Sequence, residues 1–298
     1  MNPCIKALRL PFLAGSLMPI VIGSAFAFSA RCFSFALFLI CIVGITGLHL
    51  GANLINDYFD ARGSDPLNVR VTPFSGGSRV IQEGELTPGS VLLMAILFFA
   101  LALACGIILV GMGKPLVMVI GLSGLGAGWA YSAPPFQLMS RGWGEALIFL
   151  AFGPLITLGT FYVMSGDLSW PAFTLGAPQG FFITGVIWIN QFPDYEADQS
   201  ANKKNLVVRM GPALARYPYC LIIIGAFAMV VVLVGVVELP YTIMLSLFAL
   251  PPAFKAIKIM WREYLSHEGL IPAQALTVQT LVVHGLLLSL GLVLGRFI

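Results

Sequence analysis

Two short segments of the sequence combine amides and carboxylates at a spacing that could bind a metal ion. Each has one amide followed by two carboxylates, namely Asn53, Asp57 and Asp60 in the first segment and Asn190, Asp194 and Asp198 in the second. Residues separated by three, four, seven or eight positions share one face of an α-helix, because a turn takes about 3.6 residues. We therefore expect each segment to present its three polar side chains as a stripe along one helix.

Carboxylates gathered in this way need a cation beside them. Four carboxylates at one end of a helical bundle repel one another unless positive charge neutralises them. Ligand sets made only of oxygen select a hard cation such as Mg²⁺, which often shares its coordination with water and substrate phosphates. The segments therefore predict a Mg²⁺ site for a phosphorylated substrate. A plainer interpretation is that these acids cap helices or face solvent.

Basic residues follow both segments and could bind the phosphates. Arg70 and Arg79 follow the first segment, and Lys203 and Arg209 follow the second. Because Arg and Lys pair with phosphate oxygens, we expect these side chains to bind a diphosphate. The Gly76–Gly77 pair could also turn its backbone amides toward an anion, although a flexible loop is the more common reason for such a pair. The general retention of basic residues at the inner membrane face is an alternative explanation for them. It accounts for the side of the membrane on which they lie but not for their position next to the acids.

Long apolar stretches must position these segments. Of the 298 residues, 58% are apolar and 10% are charged, whereas an ordinary soluble domain has about 25% charged residues. A soluble fold is therefore excluded. Since a helix needs about 20 apolar residues to cross a bilayer, we predict an all-α polytopic membrane protein in which residues 1–298 form a single domain. Nine spans are expected, at 13–30, 34–55, 89–111, 115–131, 145–165, 172–192, 217–237, 241–260 and 276–296.

The charged residues predict the direction of these spans. Basic residues in short loops are retained on the cytoplasmic side, and an N-terminus inside the cell places all of them there except Arg31, Lys114 and Arg296. Both polar segments then end on that side, as do all acidic residues except Asp167 and Glu238. We expect a multi-pass protein of the cell inner membrane with a cytoplasmic active site. The net charge of +3 reflects this topology and does not indicate nucleic-acid binding.

Three further side chains are expected near the site. Tyr131 could present its ring face to a positively charged group or orient a substrate, but it could equally be an interfacial anchor. His49 precedes Asn53 by one turn and could line the cavity or be a packed, singly bonded histidine. Glu145 could lie at the cavity mouth or interact with a helix N-terminus. The five cysteines show no CxxC spacing, so no metal or redox role is expected for them.

These segments resemble the motifs of the UbiA superfamily of intramembrane prenyltransferases. Members of that superfamily carry an N-D-x-x-D and a D-x-x-x-D motif on helices 2 and 6 of a nine-helix bundle, and here these are 56–60 and 194–198. The stretch 9–11 resembles the family's Arg-Pro entry. The stretches 131–135, 141–145 and 272–273 resemble the menaquinone-type branch, which prenylates 1,4-dihydroxy-2-naphthoate. The short loop between Tyr131 and span 5 contains no lysine, whereas several ubiquinone-type members have a Tyr-x-x-x-Lys element there.

The resemblance implies Mg²⁺-dependent transfer of a prenyl group from an isoprenyl diphosphate to an aromatic acceptor, with 1,4-dihydroxy-2-naphthoate as first choice. The diphosphate would leave under the pull of Mg²⁺ and the cations, and the electron-rich ring would attack an allylic carbocation or its close equivalent. Catalytic roles fall to Asp57, Asp60, Asp194, Asp198 and Tyr131. The expected metal ligands are these four aspartates together with Asn53 and Asn190. The expected substrate-binding residues are Arg9, Asn56, Arg70, Arg79, Arg141, Lys203 and Arg209.

Other functions remain open from the sequence alone. The acceptor could be another quinone precursor, a tocopherol-like ring, haem or a lipid. A secondary transporter also keeps charged groups inside a helical bundle, but near the membrane midplane and not at helix ends. A CDP-alcohol phosphotransferase carries its acids in one compact motif, and a purely structural protein has no need of matched acidic motifs. Prenyl chain length, oligomeric state and a role for Asp65 are not specified.

Overall fold

The chain folds into a bundle of long helices. The computed structural model describes residues 2–298, and within them nine long helices follow one another along the chain. Eight are long and apolar enough to cross a membrane, and α4, with 17 residues, is the shorter ninth. The helices are α1 (Pro3–Ser29), α2 (Phe35–Asp60), α3 (Pro88–Gly111), α4 (Leu116–Ser132), α5 (Gly144–Ser165), α6 (Trp170–Asn190), α7 (Pro212–Gly235), α8 (Tyr241–Glu263) and α9 (His267–Gly295).

This architecture confirms the predicted all-α, nine-helix membrane bundle. Large apolar side chains face outward on several helices, for example Ile107 on α3, Leu221 on α7 and Phe248 on α8. Such a surface would be unstable in water, but it suits a lipid environment in which every backbone polar group is bonded within its own helix. The chain is therefore an integral membrane protein.

The bundle closes because its first and last helices pack against each other. Helix α1 contacts α9 and α5, α2 contacts α3 and α4, and α6 contacts α5, α7 and α9. The approach of α5 to α6 is especially close. A Cβ atom on Gly153 of α5 would lie 2.5 Å from the carbonyl oxygen of Gly176 and 2.5 Å from the amide nitrogen of Gly180. Helices in membranes approach this closely only where small residues meet.

Helix α2 extends further at its C-terminal end than the apolar stretch that predicts it. It continues to Asp60, whereas the expected span stops at residue 55. Helix α9 likewise begins at His267, nine positions before the expected start, and Ser266 caps it by accepting a hydrogen bond from the Gly269 amide at 3.0 Å. Both extensions are polar turns of helix, which a search for apolar residues does not detect.

Helix α6 ends between the polar residues of the second motif. It stops at Asn190, a turn follows, and a short helix runs over Tyr195–Ser200. The prediction that Asn190, Asp194 and Asp198 form a stripe on one continuous helix is therefore wrong. Pro193 gives the reason, because proline has no N–H to bond the carbonyl four residues earlier and its ring clashes with that carbonyl.

Helix α5 contains a π-helical turn at Ala151–Leu155, which includes Pro154. Turns of this kind are rare and occur mostly as single bulges next to functional sites. Here the turn brings Ala151 and Phe152 to the wall of the cavity described below. An irregular segment of α5 thus contributes to the shape of that cavity.

Candidate active site

A cavity of about 240 Å³ lies where α2, α4 and α6 end. Its outer part is polar, and many of the side chains expected in the site line it. These are Arg9, Asn53, Asn56, Asp60, Tyr131, Asn190, Asp194, Asp198 and Lys203. Residues from α1, α2, α4 and α6 and from the segment after α6 therefore meet in one place.

Lys203 joins the two motifs. Its ammonium nitrogen lies 3.0 Å from Asp60 Oδ2 and 3.6 Å from Asp198 Oδ1, and all three side chains are largely buried. Burial lowers the pKa of Lys203, but the charges of Asp60 and Asp198 outweigh that effect and raise it above its ordinary value. One carboxylate from each motif thus points at the same positive charge.

Asp194 is held by the loop that follows α2. Asn68 Nδ2 donates to Asp194 Oδ1 at 2.6 Å, and the Gly76 amide donates to Asp194 Oδ2 at 3.3 Å. Burial and the neighbouring charge of Asp198 nevertheless raise the pKa of Asp194 to about 7. The two hydrogen bonds from the loop orient this carboxylate and lower its pKa, but they do not offset the effect of burial.

Asp198 is oriented from its other side by Asn205. Asn205 Nδ2 donates to Asp198 Oδ2 at 2.7 Å, while Asn205 Oδ1 accepts from the Val208 amide at 2.8 Å and caps the helix Leu206–Met210. Burial, opposed in part by Lys203, leaves the pKa of Asp198 above its ordinary value. The second motif is therefore fixed by the short helices that follow α6.

The glycine pair of the loop lies against the acids. Gly76 and Gly77 have φ angles of +84° and +73°, which favour glycine, and a Cβ atom on Gly77 would lie 2.5 Å from Asp65 Oδ2. Burial and the charges of Asp60 and Asp57 raise the pKa of Asp65 to about 8. Asp65 also lines the cavity. Its carboxyl group is in close contact with the loop backbone at Gly77.

Three asparagines belong to the two motif segments, and they differ in their hydrogen-bond partners. Asn190 Oδ1 accepts from Gln274 Nε2 of α9 at 3.0 Å. Asn56 Nδ2 lies 3.0 Å from both Asp60 Oδ2 and Ser132 Oγ. Asn53 Nδ2 is buried and has no hydrogen-bond partner within residues 2–298, so it is a donor available to a substrate oxygen or water.

Asp57 does not line the cavity. It is 3% exposed, and its Oδ1 accepts from the Ser78 amide at 3.4 Å. Its Oδ2 is buried without a hydrogen-bond partner in the part of the chain that the structure describes. A buried carboxylate oxygen with no donor is costly, so this atom is suited to a cation.

Four of the five predicted arginines, all except Arg9, lie outside the cavity lining. Arg70 pairs with the exposed Glu196 at 2.8 Å, and Arg79 donates to the backbone carbonyl of Asp65 at 2.5 Å. Arg209 donates to the carbonyl of Arg141 at 2.8 Å, and Arg141 donates to that of Pro135 at 2.7 Å. The four guanidinium groups contact loops or surface acids, and their predicted role in substrate binding remains a prediction.

Glu145 stabilises the rim of the site from outside the cavity. Its Oε1 accepts from Gln191 Nε2 at 3.0 Å and from the Leu206 amide at 3.3 Å. The carboxylate thus links the start of α5 to the end of α6 and to the first residue of a short helix. A negative charge at a helix N-terminus is favourable, which agrees with the second of the two expected roles.

The inner part of the cavity is apolar and leads toward a second cavity. Both cavities are lined by Ile45, Leu48, Gly124, Ala151 and Ile156. The second has a volume of about 120 Å³, lies among α2, α3, α4 and α5, and has an almost wholly apolar wall. Together they form a path from the acidic end into the apolar bundle.

His49 and Ser16 are polar residues of this inner part. Both line the first cavity, and Ser16 Oγ lies 2.6 Å from His49 Nδ1. Of the two interpretations open from the sequence, the structure therefore places His49 in the cavity wall, although it is also well packed.

The residues can accommodate a divalent cation only with help from other ligands. Within residues 2–298, no three His, Cys, Asp or Glu side chains are placed so that they alone could hold a metal ion. Asp60 and Asp198 nonetheless converge on one ammonium group, and amide oxygens lie nearby. Mg²⁺ favours a few carboxylates supplemented by water and substrate phosphates, so this oxygen-rich set fits that ion.

Several residues of the site are missed by reasoning from the sequence. Asn68, Asn205, Gln274 and Ser132 hold the side chains of the motifs but belong to no acidic cluster. Only Asn205 carries a local signal, because an asparagine just before a short apolar run is typical of a helix N-cap. The other three become neighbours of the motifs only through the packing of distant segments.

The sequence matches the model of the UbiA prenyltransferase family over residues 16–270. One relative, the 1,4-dihydroxy-2-naphthoate octaprenyltransferase of Mycobacterium tuberculosis, is 28% identical over 208 residues, which cover 70% of this chain and 69% of that protein. The enzyme of the same name from Bacillus subtilis is 23% identical over 290 residues, or 96% of this chain and 90% of that one.

Solved structures show the same fold. A UbiA homologue from Aeropyrum pernix superposes with a TM-score of 0.70 at 15% identity, covering 91% of this chain and 96% of its own. A UbiA homologue from Archaeoglobus fulgidus bound to GPP and Mg²⁺ gives a TM-score of 0.59 at 18% identity, covering 96% and 99%. With the family model matched over most of its length, the chain belongs to the UbiA prenyltransferase family and is a prenyltransferase of the membrane.

Proposed function

We propose that this protein transfers a prenyl group from an isoprenyl diphosphate to 1,4-dihydroxy-2-naphthoate in a Mg²⁺-dependent reaction of menaquinone biosynthesis. One observation carries the proposal. Carboxylates of both motifs and Lys203 meet at the polar end of a cavity whose other end is apolar. This division matches a substrate with a charged diphosphate head and a hydrocarbon tail.

The proposed Mg²⁺ ligands are Asn53, Asp57, Asp60, Asn190, Asp194 and Asp198. Asp57 is included because its buried Oδ2 has no hydrogen-bond partner within residues 2–298. When bound, Mg²⁺ would neutralise the charge that develops on the diphosphate as the allylic C–O bond breaks. The solved relative that holds GPP and Mg²⁺ supports this choice of metal.

The chain's own cations would bind the remaining phosphate charge. Lys203 and Arg9 line the cavity, and the Gly76 amide already donates to the acid Asp194 at 3.3 Å. We propose that Lys203 exchanges part of its contact with Asp60 and Asp198 for a phosphate oxygen when the diphosphate binds. Arg70 and Arg79 would act earlier, while the substrate approaches, since they lie on the loop that follows α2 and outside the cavity lining.

The apolar path would hold the isoprenoid tail and exclude water. Its wall is formed by aliphatic residues and glycines of α2, α4 and α5. An allylic carbocation reacts readily with water, so a dry wall around the reacting carbon protects it. Tyr131, which lines the cavity between the acids and the apolar part, is positioned to stabilise that cation with its ring or to orient the acceptor.

The acceptor is inferred from the relatives and from the shape of the site. Relatives that align along most of the chain are named for 1,4-dihydroxy-2-naphthoate.

The site lies at the end of the bundle where most basic residues lie. We therefore also propose that it opens to the cytoplasmic side of the cell inner membrane. Both substrates would then reach it from the leaflet or the solvent on that side.

The proposal is tested with purified protein in detergent or nanodiscs. Radiolabelled geranyl diphosphate and 1,4-dihydroxy-2-naphthoate are supplied with Mg²⁺ or with chelator, beside the variants Asp60→Asn and Asp198→Asn. Each variant removes one carboxylate that contacts Lys203. We expect Mg²⁺-dependent prenylation by the wild type and a loss of about 100-fold or more in kcat/KM for each variant, as for other groups that act on developing charge.

The matched control is Glu196→Gln. Glu196 belongs to the second motif segment but is exposed and pairs with Arg70 at the surface, so its loss should change kcat/KM by less than about threefold. Prenylation of a different aromatic acceptor would overturn the naphthoate assignment alone. Failure of folded protein to bind or cleave the diphosphate would overturn the whole proposal.

A further inference from the structure

His49 and Ser16 form a buried pair in the cavity wall that the proposed reaction does not yet use. Ser16 Oγ on α1 lies 2.6 Å from His49 Nδ1 on α2. The ring of Phe152, from the π-helical turn of α5, packs edge-on against the imidazole with 5.3 Å between ring centroids. The imidazole is therefore held in one orientation by three different helices.

The position of the pair within the cavity is informative. His49 lies one helical turn before Asn53, on the side away from the acids, and the cavity that it lines is also lined by the apolar residues Leu48, Ile156 and Ile183. An isoprenoid tail has no group that could use a hydrogen bond there. A hydroxylated aromatic acceptor does, and burying its polar groups without a partner would be costly.

The hydrogen bond to Ser16 determines which nitrogen of His49 is free. In the described part of the chain, Ser16 Oγ makes its side-chain hydrogen bond with His49 Nδ1. A serine hydroxyl turns its hydrogen toward an available acceptor, and with Ser16 donating to Nδ1 the ring proton resides on Nε2. His49 Nε2–H is then a fixed donor without a partner in residues 2–298.

We propose that His49, oriented by Ser16, donates a hydrogen bond from Nε2 to an oxygen of the aromatic acceptor, either a ring hydroxyl or the carboxylate. This inference rests on the proposed function of the site. Because α2 carries both His49 and Asn53, one rigid helix would fix the distance between the acceptor ring and the diphosphate. Arg9, which also lines the cavity, adds positive charge that favours an acidic ring.

Steady-state prenylation in nanodiscs tests the pair, with each substrate varied in turn at saturating levels of the other. Removing a hydrogen bond to a substrate oxygen costs about tenfold or more in affinity. We therefore expect His49→Leu to raise the KM of the acceptor about tenfold and to leave the KM of geranyl diphosphate within about twofold. His49→Gln should recover part of this loss, because its amide can still donate.

Ser16→Ala gives a second, independent test of the orientation. It removes the partner of Nδ1 and should raise the KM of the acceptor about threefold, again with little change for the diphosphate. The matched control is His284→Gln. His284 is a buried histidine of α9 that bonds Gln179 at 3.2 Å and does not line the cavity, so neither KM should change by more than about twofold.

A further readout is the fate of the allylic carbon. If the ring is no longer positioned, water captures the carbon more often, and the ratio of prenyl alcohol to prenylated product should rise in His49→Leu but not in His284→Gln. A purely structural role for His49 would not shift this ratio.

Two results would overturn the inference. The first is an equal rise of both KM values, and the second is a fall in kcat with neither KM changed, in His49→Gln and Ser16→Ala alike. These two conservative variants decide the question even if His49→Leu does not fold. If the wild type consumes no diphosphate with any aromatic acceptor, the proposed function itself fails and this inference fails with it.

Discussion

Lys203 is the residue through which the two motifs meet. Its contacts with Asp60 and Asp198 bring carboxylates from distant parts of the chain to one point. Asp194 and Asp65, which lie beside them, have raised pKa values of about 7 and about 8. One lysine therefore leaves the carboxylates short of positive charge, and added cations should compete with protons for them.

We expect Mg²⁺ to bind with release of protons. A raised pKa means that Asp194 is mostly protonated below its value of about 7 and mostly ionised above it. Since Mg²⁺ binds only the ionised form, its affinity should rise between about pH 6 and about pH 8, by at most about tenfold per unit for each proton released. Calorimetric titrations in two buffers of different protonation enthalpy measure the number of protons released for each Mg²⁺ bound.

Asp194→Asn provides the comparison for this linkage. The variant keeps the size of the side chain and its contact with Asn68, but it has no proton to lose. Its Mg²⁺ affinity should be lower at about pH 8 and depend less on pH. An affinity of the wild type that is constant over this range would contradict the raised pKa of Asp194.

At the scale of elements, the loop after α2 contributes as much as the helices to orienting the side chains of the site. It contacts Asp57 through the Ser78 amide and Asp194 through Asn68 and the Gly76 amide. It can do so because Gly76 and Gly77 adopt positive φ angles and leave room for the acids. The loop therefore orients carboxylates of both motifs by means of two backbone amides and the side chain of Asn68.

Gly77→Ala should impair catalysis more than its backbone strain alone explains. The added Cβ would lie 2.5 Å from Asp65 Oδ2. Gly84→Ala is the matched control, since Gly84 has a similar φ of +71° with nothing within 4 Å of the added atom. Both variants should lose about 1–2 kcal/mol of stability from the left-handed backbone, but only Gly77→Ala should lower kcat/KM, by about tenfold or more.

The measurement is prenylation kinetics alongside thermal unfolding of both variants. Equal losses of activity in Gly77→Ala and Gly84→Ala would show that strain in the loop, and not the contact with Asp65, determines the rate.

The elements also show where reasoning from the sequence succeeds. Apolar stretches predict the helices well, because a bilayer imposes a minimum apolar length that few other structures meet. The pattern of Asn190, Asp194 and Asp198 misleads because its helical spacing coincides with a proline that interrupts α6. Contacts such as Gln274 with Asn190 cannot be predicted, because they depend on how α9 packs against α6.

At the scale of the whole molecule, small residues set the spacing between helices. The contact of Gly153 with Gly176 and Gly180 leaves no room for a methyl group, and it fixes α5 beside the helix that ends at the second motif. Without a hydrophobic force between helices in lipid, such close packing supplies much of the stability of a membrane bundle.

Gly153→Ala should therefore destabilise the bundle by about 1–3 kcal/mol, as overpacked cores do. Gly126→Ala on α4 is the control, since Gly126 is exposed and nothing lies within 4 Å of the added atom. Thermal unfolding in one detergent compares the two, with a clearly lower midpoint expected for Gly153→Ala only. If the unfolding midpoint of Gly153→Ala equals that of Gly126→Ala, α5 and α6 can move apart without loss of stability.

The second cavity predicts an effect on prenyl chain length. Gly121 of α4 lines this cavity, and a Cβ atom there would have nothing within 4 Å. Gly121→Phe should fill the space without disturbing the acids, so that kcat/KM falls by about tenfold or more for long isoprenyl diphosphates and by less than about threefold for geranyl diphosphate. Competition between short and long diphosphates measures this preference. An unchanged preference would mean that the tail takes another path.

The bond between Asn68 and Asp194 has a consequence for how such a protein can be recombined. Neither half of the chain contains a finished site, because the loop of the first half holds an acid of the second, and Lys203 of the second half contacts an acid of the first. A chimera that exchanges one half for that of a distant relative must bring matching partners across the junction. Compatibility at these few pairs, more than overall identity, should decide which hybrids are active.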